Sequence, residues 1–421
     1  MQIQQANWTS GEQWRIDPLY GWGNAQPDYQ TSSPKIQQKT QPQGSDFKPQ
    51  LVLVFGNTDV LKTINPIQQL RQLYPQAYLM GCSTAGEIYD VQVRDHSITA
   101  TAIEFATTQV ISHHIYLHPL ETSCSAGARL AKQFPMVDLA HLFVLSDGLR
   151  VNGSELIAGL RSELPDAVTI TGGLSGDGSR FGETLVLSNT ELGQGMIAAV
   201  GFYGTNLKVG YGSIGGWTAF GPKRTVTKSE GNVLYELDGQ SALALYKKYL
   251  GEYASDLPAS GLLFPLNLYN KEGDTAVVRT ILAVDETEQN LTFAGDLPEG
   301  SIVQLMQANF NRLIDGAMAA AQNSLVTSHD LADSSVTESI AESPPKDSKK
   351  LPELAILISC VGRKLVLKQR IEEEVEGVRE VIGSNTVLTG FYSYGEIAPS
   401  AQGKCCELHN QTMTITTFTE S

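Results

Sequence analysis

Residues 51–58, LVLVFGNT, and 77–88, AYLMGCSTAGEI, bracket a helical stretch at 60–73. The two apolar runs do not alternate with polar residues, which marks strands buried on both faces. The second run ends in a Gly-rich turn. Strand, helix and strand together make a βαβ unit. The same order returns in HLFVLSDG (141–148), a helix from Ser154 to about Leu164, and VTITGGLSGDG (168–178). It returns again in LAILISCVG (354–362), a helix around 366–382, and TVLTGFYSYGEI (386–397). The step from first strand to turn is similar each time: Leu51 to Gly81, Leu142 to Gly172 and Leu354 to Gly390. A repeat of this kind predicts an α/β chain, mixed α+β in detail, with parallel and mixed sheets.

The first and third copies are the closer pair. LMGCSTAGEI and LTGFYSYGEI share Gly-x4-Gly-Glu-Ile, and each leads to a β-rich run ending in Phe, SITATAIEF (97–105) and QTMTITTF (411–418). This likeness predicts two pseudo-symmetric halves, each with a sheet. Between them, 195–216 is Gly-punctuated and strand-like, and the stretch that follows, to TAVVRTILAVDETEQNLTFAG (275–295) with one helix at 242–251, reads as antiparallel strands with turns, a β-rich middle section.

The chain has 421 residues and a net charge of −15. Its acid excess argues against nucleic acid or an anionic membrane as the main partner, since both select for Lys and Arg patches. No apolar run of 18 residues suggests a membrane-spanning helix. The N-terminus has neither the basic start nor the apolar stretch of a secretory signal, and five cysteines without CxxC spacing fit a reducing cytoplasm. Residues 1–47 are Gln-rich and polar and read as an irregular leader, with Trp8 and Trp14 candidates to dock on the body, and Trp22 with them. The body divides into 48–219 and 220–421, the latter with an exposed Ser-rich insert at about 324–352.

VLSDGLRVNGSELIAGL followed by ITGGLSGDG resembles the N-terminal half of a FIST domain, and VLYELDGQSALALYKKYLG, FPL, SCVGRK and GFYSYGEI resemble its C-terminal half. The resemblance covers roughly 48–421. It implies a sensory module, often bacterial, that binds a small ligand such as an amino acid and acts on a kinase, cyclase or chemotaxis output. Some members are linked to haem and nitric oxide. Here no output domain accompanies the FIST region, so the resemblance implies a separate signalling partner such as a histidine kinase. A haem-based gas sensor is the alternative, and an enzyme or scaffold on the same fold a third. No other cofactor and no metal site is expected.

Ligands of open α/β sheets gather outside the carboxyl ends of parallel strands, where the three Gly turns lie. Glycine there exposes backbone N–H groups to a carboxylate or phosphate, or simply makes a tight turn. GGLSGDG precedes a predicted strand rather than a helix, so it is no dinucleotide fingerprint. In the third turn, Phe391, Tyr392, Tyr394 and Glu396 could hold an ammonium group by charge and cation–π attraction, with Arg363 holding a carboxylate. Equally, the tyrosines could be core residues and Glu396 the partner of Arg363. Glu87 occupies the matching position in the first turn, after Cys82, Ser83 and Thr84, and the second offers Gly172, Gly173, Ser175 and Asp177. Asp147 and Asn152 follow a buried strand and are candidates too, although Asp147-Gly148 is also a turn and Ser154 a candidate helix cap. Cys82 and Cys360 have no base at a known spacing, and buried inert cysteine is the default. His113, His114 and His118 lack the Cys or carboxylate that would complete a metal set. The predicted ligand site therefore lies at the Gly turns, in a cleft between the halves.

Overall fold

Each of the three βαβ copies builds a sheet of its own. The computed structural model describes residues 1–9, 14–17, 47–269, 276–325, 351–400 and 406–421. Within it, Leu51–Gly56 runs parallel to Tyr78–Ser83, Leu139–Ser146 to Thr169–Leu174, and Leu354–Cys360 to Val387–Ser393. Each first strand also pairs antiparallel with a long strand from the end of its own module: Ser97–Glu104, Met196–Tyr203 and Met413–Glu420. A further strand lies outside each of these, Gln2–Thr9, Gln109–Tyr116 and Leu207–Ile214 in turn. The three sheets thus share one strand order.

What joins them is an exchange of short strands. After its Gly turn, the first module sends Glu87–Tyr89 to the third module's second strand. The second module sends Val186–Ser188 to the first, and the third sends Gly395–Pro399 to the second. The exchange is cyclic and closes on itself. The repeat therefore forms a pseudo-three-fold ring rather than two halves; the first and third turns look alike because both keep Glu at the start of the exchanged strand, where the second module has Val186.

Alternation along the first strands explains the packing. Leu51, Leu53 and Phe55 face a central core shared with Phe143, Leu145, Ile356 and Ile358 from the other modules. Val52 and Val54 face the helix Ile64–Leu73, Leu142 and Val144 face Gly153–Glu163, and Ala355 and Leu357 face Ile371–Ile382. Strands covered on both sides need no polar face, hence the unbroken apolar runs. Burying each large side chain contributes about 1.5–3 kcal/mol.

The described residues of 218–269 and 276–307 form a separate nine-stranded antiparallel sheet around Ala242–Leu250, with a core of their own that includes Val226, Leu243, Tyr246 and Phe293. This domain interrupts the third module between Leu207–Ile214 and the helix Phe310–Ser324. The expected β-rich middle section is thus mixed in origin: 196–214 belongs to the ring, and the rest to the inserted domain.

The leader reading needs a correction at its start. Gln2–Thr9 is a full strand, with Trp8 buried and Trp14 packed against the same cluster. Its polar composition hides this role because Gln5 and Asn7 are buried but donate to the carbonyls of Leu388 and Ile98, at 2.8 and 3.1 Å. Trp22 and most of the Ser-rich insert lie outside the described residues.

Candidate functional site

The three Gly turns meet on the pseudo-three-fold axis. A Cβ on Gly81, Gly172 or Gly390 would lie 1.8 Å from the carbonyl oxygen of Val54, Val144 or Leu357 respectively. Only glycine lets the second strand approach the first so closely and turn into the exchange. Beyond the glycines, three backbone bonds close a ring: Ala85 N–H donates to Tyr392 at 2.8 Å, Gly176 N–H to Ser83 at 2.9 Å, and Tyr394 N–H to Leu174 at 3.3 Å.

Most of the side chains expected to bind a ligand are brought together here, but they are engaged by protein partners. Glu87 accepts from Thr84 and Ser97 hydroxyls, both at 2.6 Å. Glu396 accepts from Ser393 at 2.6 Å and from the Thr412 hydroxyl at 2.9 Å. Burial pushes their carboxyls up to about 7 and about 8 against an ordinary 4.5. Asp177 accepts from the backbone of Phe181, Gly182 and Glu183 and from the Tyr394 hydroxyl, and Tyr394 stacks on Phe181. Asp147 accepts from Leu149, Arg150 and Gly195 N–H groups and the Thr184 hydroxyl. Ser83 Oγ accepts from Leu185 N–H, and Ser175 Oγ accepts from Gly148 N–H. Phe391 joins the central aromatic core with Phe55, at 4.7 Å between ring centres, beside Gly173, whose missing Cβ makes room.

Arg363 does not pair with Glu396. It is fully buried and donates from Nε and Nη2 to Glu374 at 3.0 and 2.8 Å, and to the carbonyls of Gly215 and Leu313. Tyr392 donates to the other Glu374 oxygen at 2.7 Å. Cys82 and Cys360 are buried, and burial holds both thiols well above their ordinary value, far from thiolate chemistry. Asn152, rather than Ser154, caps the helix Gly153–Glu163, accepting from the N–H groups of Ser154 and Glu155. Its amide also reaches Asp296 of the inserted domain at 2.7 Å.

A groove of about 600 Å³ opens beside that contact, between the helix Gly153–Glu163, the strand Cys406–His409 and the inserted domain. Its polar lining includes Arg161, Asp166, Arg279 and Glu407, and Tyr211 and Tyr269 contribute aromatic wall. Arg279 is buried; its Nε donates to Asp296 and its Nη1 to Leu408 and Val278, while Nη2 makes no hydrogen bond among the described residues. Desolvation lowers its guanidinium to about 10, against the pull of Asp296 and Glu407. Two cations, two carboxylates and two phenols thus line one concave space.

Comparison with known families places this architecture. Residues 50–240 match the FIST N domain and residues 242–399 the FIST C domain. The chain belongs to the FIST family. FIST domains are sensory modules of signalling proteins, credited with binding small ligands. No curated protein matches this chain.

The FIST N match runs through two ring modules into the inserted domain, and the FIST C match through the rest of that domain to the third module's Gly turn. The groove lies where stretches from both matches face each other. None of its groups stood out in the sequence, because Arg279 and Tyr269 reach the ring only by docking of the inserted domain. A signal for Arg161 existed: LRQLYPQAYLMG (70–81), LRSELPDAVTITG (160–172) and VREVIGSNTVLTG (378–390) each carry an Arg ten or eleven residues before the axial glycine.

Among the described residues no histidine lines the groove, so it offers haem no imidazole ligand. His141 is buried between Thr169 and Thr171, and His409 contacts the carbonyl of Ala398, with burial pushing its imidazole down to about 4. Among the described residues, no three His, Cys, Asp or Glu side chains converge as a metal set, and no helix is long and apolar enough to cross a membrane.

Proposed function

We propose that this FIST chain is a receptor for a small zwitterionic ligand of the amino-acid type, bound in the groove between the second module and the inserted domain. The observation that carries this reading is the mixed lining: guanidiniums at Arg161 and Arg279 for a carboxylate, and Asp166 or Glu407 with the tyrosines for an ammonium group. The hub residues named from sequence then act as frame: they fix the ring against which the inserted domain moves. A ligand touching both sides shifts that domain's position only by its differential affinity for the two arrangements. A cytoplasmic partner, such as a histidine kinase, reads the shift. Binding rather than catalysis is favoured because the cysteines that could serve as nucleophiles are buried and protonated.

Titration calorimetry with the twenty L-amino acids tests the reading. Binding by at least one, abolished by Ala158→Trp, which fills the groove from an exposed helix position, is expected. No binding by any of them, or binding untouched by Ala158→Trp, overturns it.

A further inference from the structure

The ring supplies an internal control for the groove. Each module has an Arg in the last turn of its helix, and each reaches back over the helix end. Arg71 Nη1 donates to the carbonyls of Pro75 and Ala77, at 3.3 and 2.8 Å. Arg379 Nη1 donates to Gly383 and Thr386, at 2.8 and 2.6 Å. In both, Nη2 is left for a third partner, and a side chain from another module supplies it. Asn189 Oδ1 accepts from Arg71 at 3.1 Å, and Asp90 Oδ1 accepts from Arg379. Asn189 and Asp90 stand at the same place, the first residue of the two-residue turn after an exchanged strand. Both have positive φ, +55° and +53°, which Asn and Asp tolerate better than most side chains. Each also donates its own N–H to the second strand of the sheet it caps, at Leu79 and Leu388.

Among the described residues the second module has no such plug. Its exchanged strand, Gly395–Pro399, is followed by six residues before Cys406–His409, where the other two modules have two. The carbonyl equivalent to Leu79 and Leu388, that of Ile170, is met instead by the Cys406 thiol at 3.4 Å. Arg161 keeps the helix-end bonds but spreads both terminal nitrogens over them, Nη1 to Pro165 and Nη2 to Val168. Its Nε–H is buried and has no partner among the described residues. The groove lies at this socket.

We infer that the ligand presents a carboxylate to Arg161, taking the place that the Asp90 carboxylate and the Asn189 amide fill in the sibling modules. The inference rests on the groove being the binding site and adds which end of the ligand is read there. A planar anion matches the guanidinium fork, and it satisfies a donor whose burial without a partner is costly. Among zwitterions the carboxylate is then the indispensable group, and simple dicarboxylates such as succinate are ligands of the same class.

The test uses the full chain with L-amino acids and succinate as probes, each beside its neutral counterpart, the amino alcohol or 1,4-butanediol. Expected is a loss of roughly tenfold or more in affinity for the neutral counterparts, and the same loss for the carboxylates in Arg161→Gln. Arg379→Gln removes the same helix-end bonds from a plugged socket and should leave affinity unchanged. Neutral counterparts that bind as well as acids, or Arg161→Gln binding like the unaltered chain, overturn the inference; if Ala158→Trp still abolishes that binding, the groove survives. Failure of every probe, or indifference to Ala158→Trp, overturns both. Should Arg161→Gln not fold, the acid and neutral series on the unaltered chain decides alone.

Discussion

The axial hub and the lateral groove are built from the same three modules, yet they obey opposite rules. At the hub the modules agree: three glycines in the same contact and three backbone bonds in a cycle, with the Glu87, Glu396 and Asp177 carboxylates each held by neighbouring donors. In the groove they disagree, because one connection is longer and one arginine has, among the described residues, no counterpart of the partner its siblings have. Repetition in this fold marks what holds the ring together. Departure from repetition marks where something else can enter.

The largest effect expected is at the hub. Gly81→Ala, Gly172→Ala and Gly390→Ala each force a Cβ onto a backbone carbonyl, and each should cost about 5 kcal/mol or prevent folding. Denaturant titration checks this, and tolerance at any one of the three would break the three-fold equivalence. Next comes pH. Glu396 and Glu87 have folded values above 4.5, so the folded ring holds protons that the unfolded chain releases. The stability they contribute is full below about pH 4.5 and is lost as pH rises to about 8. Glu396→Gln should flatten that fall by on the order of 2 kcal/mol between pH 5 and 8, read from melting curves across pH. An unchanged slope would remove the carboxyl from the hub's proton balance.

The arginine sockets sharpen the comparison further. Arg71→Gln and Arg379→Gln should destabilise by about 2 kcal/mol and Arg161→Gln by about 1, since only the first two lose a bond to another module. Equal losses would mean that Arg161 is plugged after all. The smallest effect is at the inserted domain. Asn152→Asp keeps the helix cap but sets a carboxylate against Asp296, and should loosen the docking by about 1 kcal/mol, seen as faster hydrogen exchange near Asp296 with the ring unaffected. Protection lost throughout the ring would show that the two parts do not move separately.

The strands and helices of the three modules were legible because periodicity is local: Val52, Val54 and their counterparts must face helices, and Leu51, Leu53 and Phe55 a core. The axial glycines were legible for the same reason, although their role is a close contact rather than a cradle. The exchange was not. Glu87–Tyr89 and Val186–Ser188 are three-residue strands whose partners lie about 300 and 105 residues away, and nothing in three residues states a partner. Gln2–Thr9 was hidden by Gln5 and Asn7, whose burial makes sense only once their carbonyl partners are known. Beside the groove, Asn152 was legible as a site candidate, with Ser154 the candidate cap. Arg161 and Arg279 were not, because their meaning comes from comparing sockets and from a domain docked onto the ring.

The cyclic strand exchange gives this single polypeptide the layout of a homotrimer joined end to end. In a real trimer every substitution appears three times, so a socket opened in one subunit is opened in all, and the assembly loses three staples to gain three pockets. Covalent continuity lifts that constraint. One copy can lengthen a hairpin while the other two go on bracing the whole, so a single chain can carry one asymmetric departure from its own symmetry.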